Sequence, residues 1–292
     1  MNKDRLIRCI TADGTVTAMA VDSTEAVLTM QQLHHSSAVA TAAVGRLMTG
    51  ALLMSSALKN DRATVTLRIN GGGPLGGAIA VADNRGNMRG YAAHPEVELP
   101  LNEKGKLDVG GAVGKNGVLN VTRDIGSGSP YVGQVALVSG EIAEDLTEYY
   151  ARSEQTASVC ALGVLTDKGD HTVLLAGGLL VQLLPAAGEE TIAKLERNLA
   201  ALEPMTTMMA QGMTLEAICR RALEGFDVQV LDEIPVHYAC TCSKEKVMRA
   251  LATLPAADLA ELFEEQGEVE AKCPYCCRSY RVGRADMMQF NL

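Results

Sequence analysis

The chain has 292 residues, more than one average domain needs, and its 47% hydrophobic and 21% charged residues exclude a largely disordered or fibrous protein. The 26 Lys and Arg against 35 Asp and Glu leave a formal charge of −9, the wrong sign for gripping phosphates. No Trp and only three Phe also argue against an aromatic base-stacking platform, so nucleic acid is not an expected partner.

The start, Met1-Asn2-Lys3-Asp4-Arg5, lacks the apolar core and cleavage site of a secretory signal, and a cytoplasmic protein is expected. Asp4 to Thr11 and Thr15 to Val21 flank Asp13-Gly14, which supplies the positive backbone dihedrals of a tight reversal and predicts an opening hairpin. Asp22-Ser23-Thr24-Glu25 offers capping side chains ahead of an Ala- and Met-rich stretch without Pro, predicting one or two buried helices through Leu58. Strand patterns then return at Ala63 to Leu67 and Ala78 to Val81, joined by the glycine-rich run Gly71 to Gly77. That run lacks the Lys-Ser/Thr ending of a nucleotide loop and reads as a sheet connection.

Further strands are predicted at Gly117 to Arg123, Gly133 to Val138, Ser158 to Leu165 and Thr172 to Leu184, with a helix from Glu141 to Arg152. Thr172 to Leu184 is the most apolar stretch, too short to span a bilayer and carrying Gly177, Gly178 and Gln182, so no membrane helix is expected. After Pro185 the pattern turns helical. Ile192, Leu195, Leu199 and Leu202 share one face, and Leu215, Ile218 and Ala222 continue the style. Such a segment has little core of its own and must dock on a neighbour to stay ordered. The expected class is α+β: an N-terminal mixed sheet-and-helix core domain over 1–185, a helical linker region over 186–235, and a small C-terminal domain over 236–292. Within the linker, Met205, Met208, Met209 and Met213 place four of 13 methionines in nine positions. Flexible thioethers suit a surface that adapts to many partners and equally suit core gaps; both uses hold if the surface is buried in one state and exposed in another.

Five of the eight cysteines fall in the last segment. Cys240-Thr241-Cys242 and Cys273-Pro274-Tyr275-Cys276 form a CxC and a CxxC pair with 30 residues between them, and four thiolates brought together are what a closed zinc site prefers. Four thiolates around Zn²⁺ carry a net −2, which the neighbouring Lys272 and Arg278 can offset. One reading is a permanently zinc-stapled module whose core is too small to stand alone. The CxC favours a reversible switch, because cysteines two apart close a small, strained and easily reduced ring. Helices starting near Ser243 and Pro255 are predicted between the pairs.

At these residues the sequence resembles the bacterial redox-regulated heat-shock holdase chaperones of about thirty-three kilodaltons, also called the 33 kDa chaperonin family. The similarity runs the length of the chain. It also takes in His34-His35-Ser36-Ser37-Ala38 leading to Gly45-Arg46-Leu47, Asn70-Gly71-Gly72-Gly73-Pro74-Leu75, Met88-Arg89-Gly90, and Tyr149-Tyr150-Ala151-Arg152-Ser153-Glu154-Gln155. The resemblance implies an ATP-independent chaperone, not an enzyme, inactive when reduced with one zinc per chain. It implies Cys240, Cys242, Cys273 and Cys276 as metal ligands and as redox-active cysteines, oxidised as Cys240 with Cys242 and Cys273 with Cys276, with zinc released. It further implies undocking of the connector, exposure of apolar surface to unfolding client proteins, and a dimeric active form. Cys277 departs from the family's pattern, which leaves open a shifted register in metal binding or competition between Cys276 and Cys277 for the second bridge; Val282 stands where a larger aromatic is common, and looser packing is expected there.

Cys9, Cys160 and Cys219 lie in apolar strand or helix contexts and are assigned as small buried hydrophobes without a redox role. His34-His35 has no partner motif and reads as structural or interfacial. The main rival is a zinc-containing thiol–disulfide oxidoreductase, against which stands the fact that ligated thiolates are not free to attack. A zinc-module nucleic-acid binder built on Lys272, Arg278, Arg281 and Arg284 is opposed by the net charge.

Overall fold

The computed structural model describes residues 4–289, which divide into two compact units, the first ending at Ala239 and the second starting at Cys240. Unit 1 opens with the hairpin β1 (Arg5–Thr11) and β2 (Val16–Asp22), whose turn places Gly14 at φ 67°. Two helices follow, α1 (Thr24–His34) and α2 (Ala38–Ser55), separated where His35 takes a left-handed φ of 48° and returns its N–H to Gln31. The start of α1 is capped from a distance: the Asp4 carboxylate accepts the Glu25 and Ala26 N–H groups at 3.0 and 2.8 Å.

The middle of the chain builds β3 (Thr64–Asn70), β4 (Ala78–Asp83), β5 (Asn87–Ala92), α3 (Val109–Val113), β6 (Val118–Asp124) and β7 (Tyr131–Ala136). The Gly71 to Gly77 run joins β3 to β4 and presses on the end of α3, where a Cβ on Gly71 would lie 2.0 Å from the Gly114 carbonyl oxygen; only glycine fits. Then come α4 (Ala143–Arg152), β8 (Ser158–Thr166) and β9 (Val173–Leu183). The connector contributes α5 (Glu189–Ala200), α6 (Met205–Ala210) and α7 (Leu215–Ala222), followed by β10 (Val228–Pro235) and the short β11 (His237–Tyr238).

These strands form two sheets, ordered β10-β1-β2-β9-β8 and β11-β5-β4-β3-β6-β7, antiparallel except where β11 joins β5. Helix α2 packs against strands of both sheets and is buried almost all round. By length and composition alone it is apolar enough to cross a bilayer, yet 89% of it is buried inside the protein, the setting of a core helix.

The first sheet is apolar on both faces, as the alternation along its strands requires. Leu6, Met19, Val21 and Leu180 point into the main core, while Ile7, Cys9, Val16, Ala18, Ala20, Leu179 and Val181 line the opposite face. The connector helices cover that second face with Leu195, Met205, Met208, Leu215, Ile218 and Ala222. Residues 186–235 therefore lie inside unit 1 rather than standing apart, and the expectation of a wholly helical linker is corrected at 228–235, which is strand. β10 is an edge strand with most side chains exposed, with Val228 and Ile234 partly buried against the two cores; its order comes from backbone pairing with β1.

Two glycines let the connector sit close. A Cβ on Gly163 of β8 would lie 2.7 Å from Thr206 of α6, and one on Gly177 of β9 would lie 2.7 Å from the Met209 sulfur. An ion pair ties α7 to β1: Arg5 donates to both Glu216 carboxylate oxygens, at 2.8 and 3.0 Å. The Arg5 guanidinium holds the Glu216 carboxyl at about 2, against an ordinary 4.5. Since the folded value lies below the unfolded one, the pair stabilises docking above about pH 4.5, and that contribution is lost as pH falls toward 2. With both side chains about a quarter exposed, Glu216→Gln is expected to cost about 1 kcal/mol at pH 7 and almost nothing at pH 2, read from urea unfolding at the two pH values.

Unit 2 contains α8 (Lys244–Leu251), α9 (Ala256–Gln266), the hairpin β12 (Glu268–Lys272) with β13 (Ser279–Gly283), and α10 (Arg284–Gln289). Ser243 caps α8 through the Lys246 N–H, and Asp286 accepts the Gly283 N–H at 2.8 Å while pairing with Lys244 at 2.7 Å. Its buried apolar cluster is small: Phe263, Val269, Val282 and Met287, with Val247, Leu251, Leu259 and Leu262 partly buried around it. Val282 is fully buried inside this cluster.

Candidate metal and thiol centre

The two cysteine pairs occupy different kinds of local structure. Cys240 and Cys242 lie in the irregular segment just before the Ser243 cap, and Cys273 and Cys276 form the turn between β12 and β13. In that turn the Cys273 N–H donates to the Arg278 carbonyl at 2.9 Å and the Cys277 N–H to the Cys273 carbonyl at 3.0 Å. Cys277 itself takes a left-handed φ of 58°. The fold of unit 2 brings all four sulfurs of Cys240, Cys242, Cys273 and Cys276 within 4.8 Å of one another, each partly buried, an arrangement that could hold a metal ion. Cys277 is not in that group, although it directly follows Cys276.

Two sulfur approaches run across the pairs: Cys240 to Cys273 at 3.7 Å and Cys242 to Cys276 at 3.3 Å. A tetrahedral cation with metal–sulfur bonds of about 2.3 Å holds its sulfurs about 3.8 Å apart, so the donor set fits such an ion in number, type and spacing. The thiols are electrostatically unequal. Burial, with hydrogen bonds from the other sulfurs, pushes Cys240 up to about 12. Burial acts the same way on Cys242, but the Tyr280 hydroxyl and the other three sulfurs outweigh it and bring Cys242 down to about 7. Tyr280 stands 3.1 Å from the Cys242 sulfur and was legible from the sequence only as an aromatic after the turn; the β12–β13 pairing that folds it back supplies its role.

The basic stretch considered for nucleic acid is partly neutralised within unit 2, since Arg281 pairs with Glu270 at 3.6 Å and Arg284 with Glu264 at 3.8 Å. The four methionines proposed for clients lie in unit 1 on the connector side of the first sheet, with Met205 and Met208 buried and Met209 and Met213 partly buried. They fill core positions in this state. Cys160 packs against the main core, where burial pushes its thiol up to about 12, in keeping with an inert thiol.

Comparison with known proteins returns one family throughout. The model of the Hsp33 protein family matches residues 4–283. The 33 kDa chaperonin of Clostridium perfringens is 44% identical over 285 residues, covering 97% of this chain and 90% of the relative. That of Acetivibrio thermocellus is 42% identical over 287 residues, covering 98% and 96%. The crystal structure of the 33 kDa chaperonin, heat shock protein 33 homolog, from Thermotoga maritima superposes with a TM-score of 0.88 at 36% identity, covering 98% of this chain and 97% of that one. The α+β fold, the four clustered cysteines and a sequence match over nearly all of both partners agree: this chain belongs to the Hsp33 family of chaperones.

Proposed function

We infer that this chaperone is a redox-gated, ATP-independent holdase that works in a reducing compartment, the cytoplasm, and binds unfolding proteins to prevent their aggregation. The observation that carries the reading is the mutual approach of four sulfurs within 4.8 Å in a unit with a small apolar core. Cys240, Cys242, Cys273 and Cys276 would hold one Zn²⁺, which supplies a tetrahedral cross-link and stabilises the thiolate form of its ligands.

Oxidation by peroxide takes two electrons from each pair of thiols, so four thiols and two peroxides give two disulfides and four waters. The family resemblance pairs Cys240 with Cys242 and Cys273 with Cys276; all four sulfurs are close enough that cross-pairing competes, as the 3.7 and 3.3 Å approaches illustrate. A disulfide sulfur is a poor cation ligand, so oxidation removes the cross-link of unit 2. The connector runs through β10 and β11 directly into Cys240, and that continuous chain couples unfolding of unit 2 to release of α5–α7. The apolar face then uncovered includes Met205, Met208, Met209 and Met213, the proposed client surface, and the active form is a homodimer.

Zinc content, free thiols and suppression of client aggregation, followed together during peroxide treatment at mildly denaturing temperature, test this. Release of about one zinc per chain in step with the loss of four thiols and the gain of suppression is the expected outcome. Equal suppression by the reduced, zinc-loaded protein would overturn the gating. The rival reading, a thiol–disulfide oxidoreductase, instead requires turnover of insulin disulfides at catalytic protein levels.

A further inference from the structure

Cys9 and Cys219 stand 210 positions apart in the sequence and in different layers of unit 1, Cys9 on β1 and Cys219 on α7. Both are buried, at 1% and 0% exposure, in the single apolar cluster that seals the connector to the first sheet. β1 and α7 pack directly on one another, and each of the two thiols is the leading influence on the other's proton affinity, so the two sulfurs lie close together across that seam. That proximity makes the two thiols unequal. Cys219 lowers Cys9 against the opposing effect of burial, while Cys9 and burial raise Cys219. One sulfur is thus the readier nucleophile and the other keeps its proton, the arrangement of an attacking and a resolving cysteine.

We propose that Cys9 and Cys219 are a third redox pair, which a peroxide-class oxidant converts to a disulfide that pins α7 to β1 and opposes release of the connector. The Cys9 thiolate attacks one peroxide oxygen, the O–O bond breaks, and a sulfenic acid forms with loss of hydroxide. The Cys219 sulfur then attacks that sulfenic sulfur and expels its hydroxyl, which the Cys219 proton turns into one water, while the proton Cys9 lost on ionising turns the first hydroxide into the second. Two thiols have lost two electrons and one peroxide has become two waters. Neither sulfur is reachable while the connector is fully docked, so the reaction waits on local opening of α7 and runs more slowly than oxidation of the partly exposed cysteines of unit 2. The disulfide itself follows from the packing of unit 1; its effect as a brake rests on the reading of the connector as the released element.

The test uses the full-length, reduced, zinc-loaded protein exposed to hydrogen peroxide, with free thiols blocked before non-reducing digestion. Mass spectrometry quantifies the Cys9–Cys219 linked peptide, and a chromophoric chelator follows zinc release in the same samples. The linked peptide is expected to accumulate after zinc release begins and to be missing from Cys9→Ala and Cys219→Ala. After prolonged oxidation both variants are expected to suppress client aggregation at least about twofold better than the parent, as loss of a pinned half of the population would give. Absence of the linked peptide once zinc release is complete overturns the pair; its presence with variants no more active than the parent overturns the brake. The peptide readout needs only the parent chain, so a variant that fails to fold does not shield the proposal. Linked peptide forming without any zinc release supports the pair and counts instead against the four-cysteine switch.

Discussion

Cys273→Ser is expected to unfold unit 2 in the reduced protein while leaving unit 1 folded. Unit 2 spans Cys240 to Leu292, and among its described residues the buried large apolar side chains are Phe263, Val269, Val282 and Met287, too few to offset the conformational entropy of so many residues. A structural zinc site contributes about 10–16 kcal/mol of apparent free energy at neutral pH, the largest single stabilising term available to such a module. Serine in place of one thiolate removes a soft ligand and its charge, and that contribution falls with it. Bound zinc should drop from about one per chain toward none, the helical ellipticity of α8 and α9 should disappear, and a protease should cut within 243–272 at reducing conditions where the parent resists. A zinc-free variant that keeps unit 2 protease-resistant would show that the apolar cluster suffices without a metal.

Ile218→Asp should convert the reduced, zinc-loaded protein into an active holdase without oxidant. Ile218 is fully buried on the face of α7 that packs on β1 and β2, in one cluster with Ile7, Val16 and Ala18, and a carboxylate in that apolar setting loses its hydration. Such a change costs about 3–5 kcal/mol, which exceeds what the partly exposed Arg5–Glu216 pair can supply to hold α7 in place. With α7 released, the outer face of the first sheet and the methionines of α6 are uncovered together. Zinc content should stay at the parent level, which separates this route from loss of the cysteine centre. Arg220→Ala, on the exposed side of the same helix, should leave the protein inactive until oxidised. If proteolysis shows the connector freed in Ile218→Asp and client aggregation is still not suppressed, connector release is not what gates activity.

Local chemistry was legible residue by residue. Asp13-Gly14 marked the first hairpin, and its turn is where the dihedral argument put it. The spacing of Leu215, Ile218 and Ala222 marked the buried face of α7, because a 3.6-residue period needs no knowledge of what lies opposite. The capping of α1 is only partly local: Asp22 accepts the Thr24 N–H, while Asp4, some 20 residues earlier in the chain, accepts those of Glu25 and Ala26. β10 is likewise fixed from afar: Val228, Val230, Leu231 and Ile234 mix with polar residues in no clean alternation, and its order depends on pairing with a strand more than 200 residues away.

The same division runs through the functional centres. The CxC and CxxC spacings by themselves determined that four thiols were available as a ligand set, since ligand type and short-range spacing are written in the covalent chain. That the four sulfurs converge within 4.8 Å, that Tyr280 reaches Cys242, and that Cys277 is left outside were decided by the hairpin that returns β13 beside β12. Cys9 and Cys219, read singly as inert hydrophobes, became neighbours only when α7 docked on β1. Periodicity and spacing act over a few residues, whereas which side chains meet across a packed seam is set by the burial of whole faces, a property no short stretch of sequence contains.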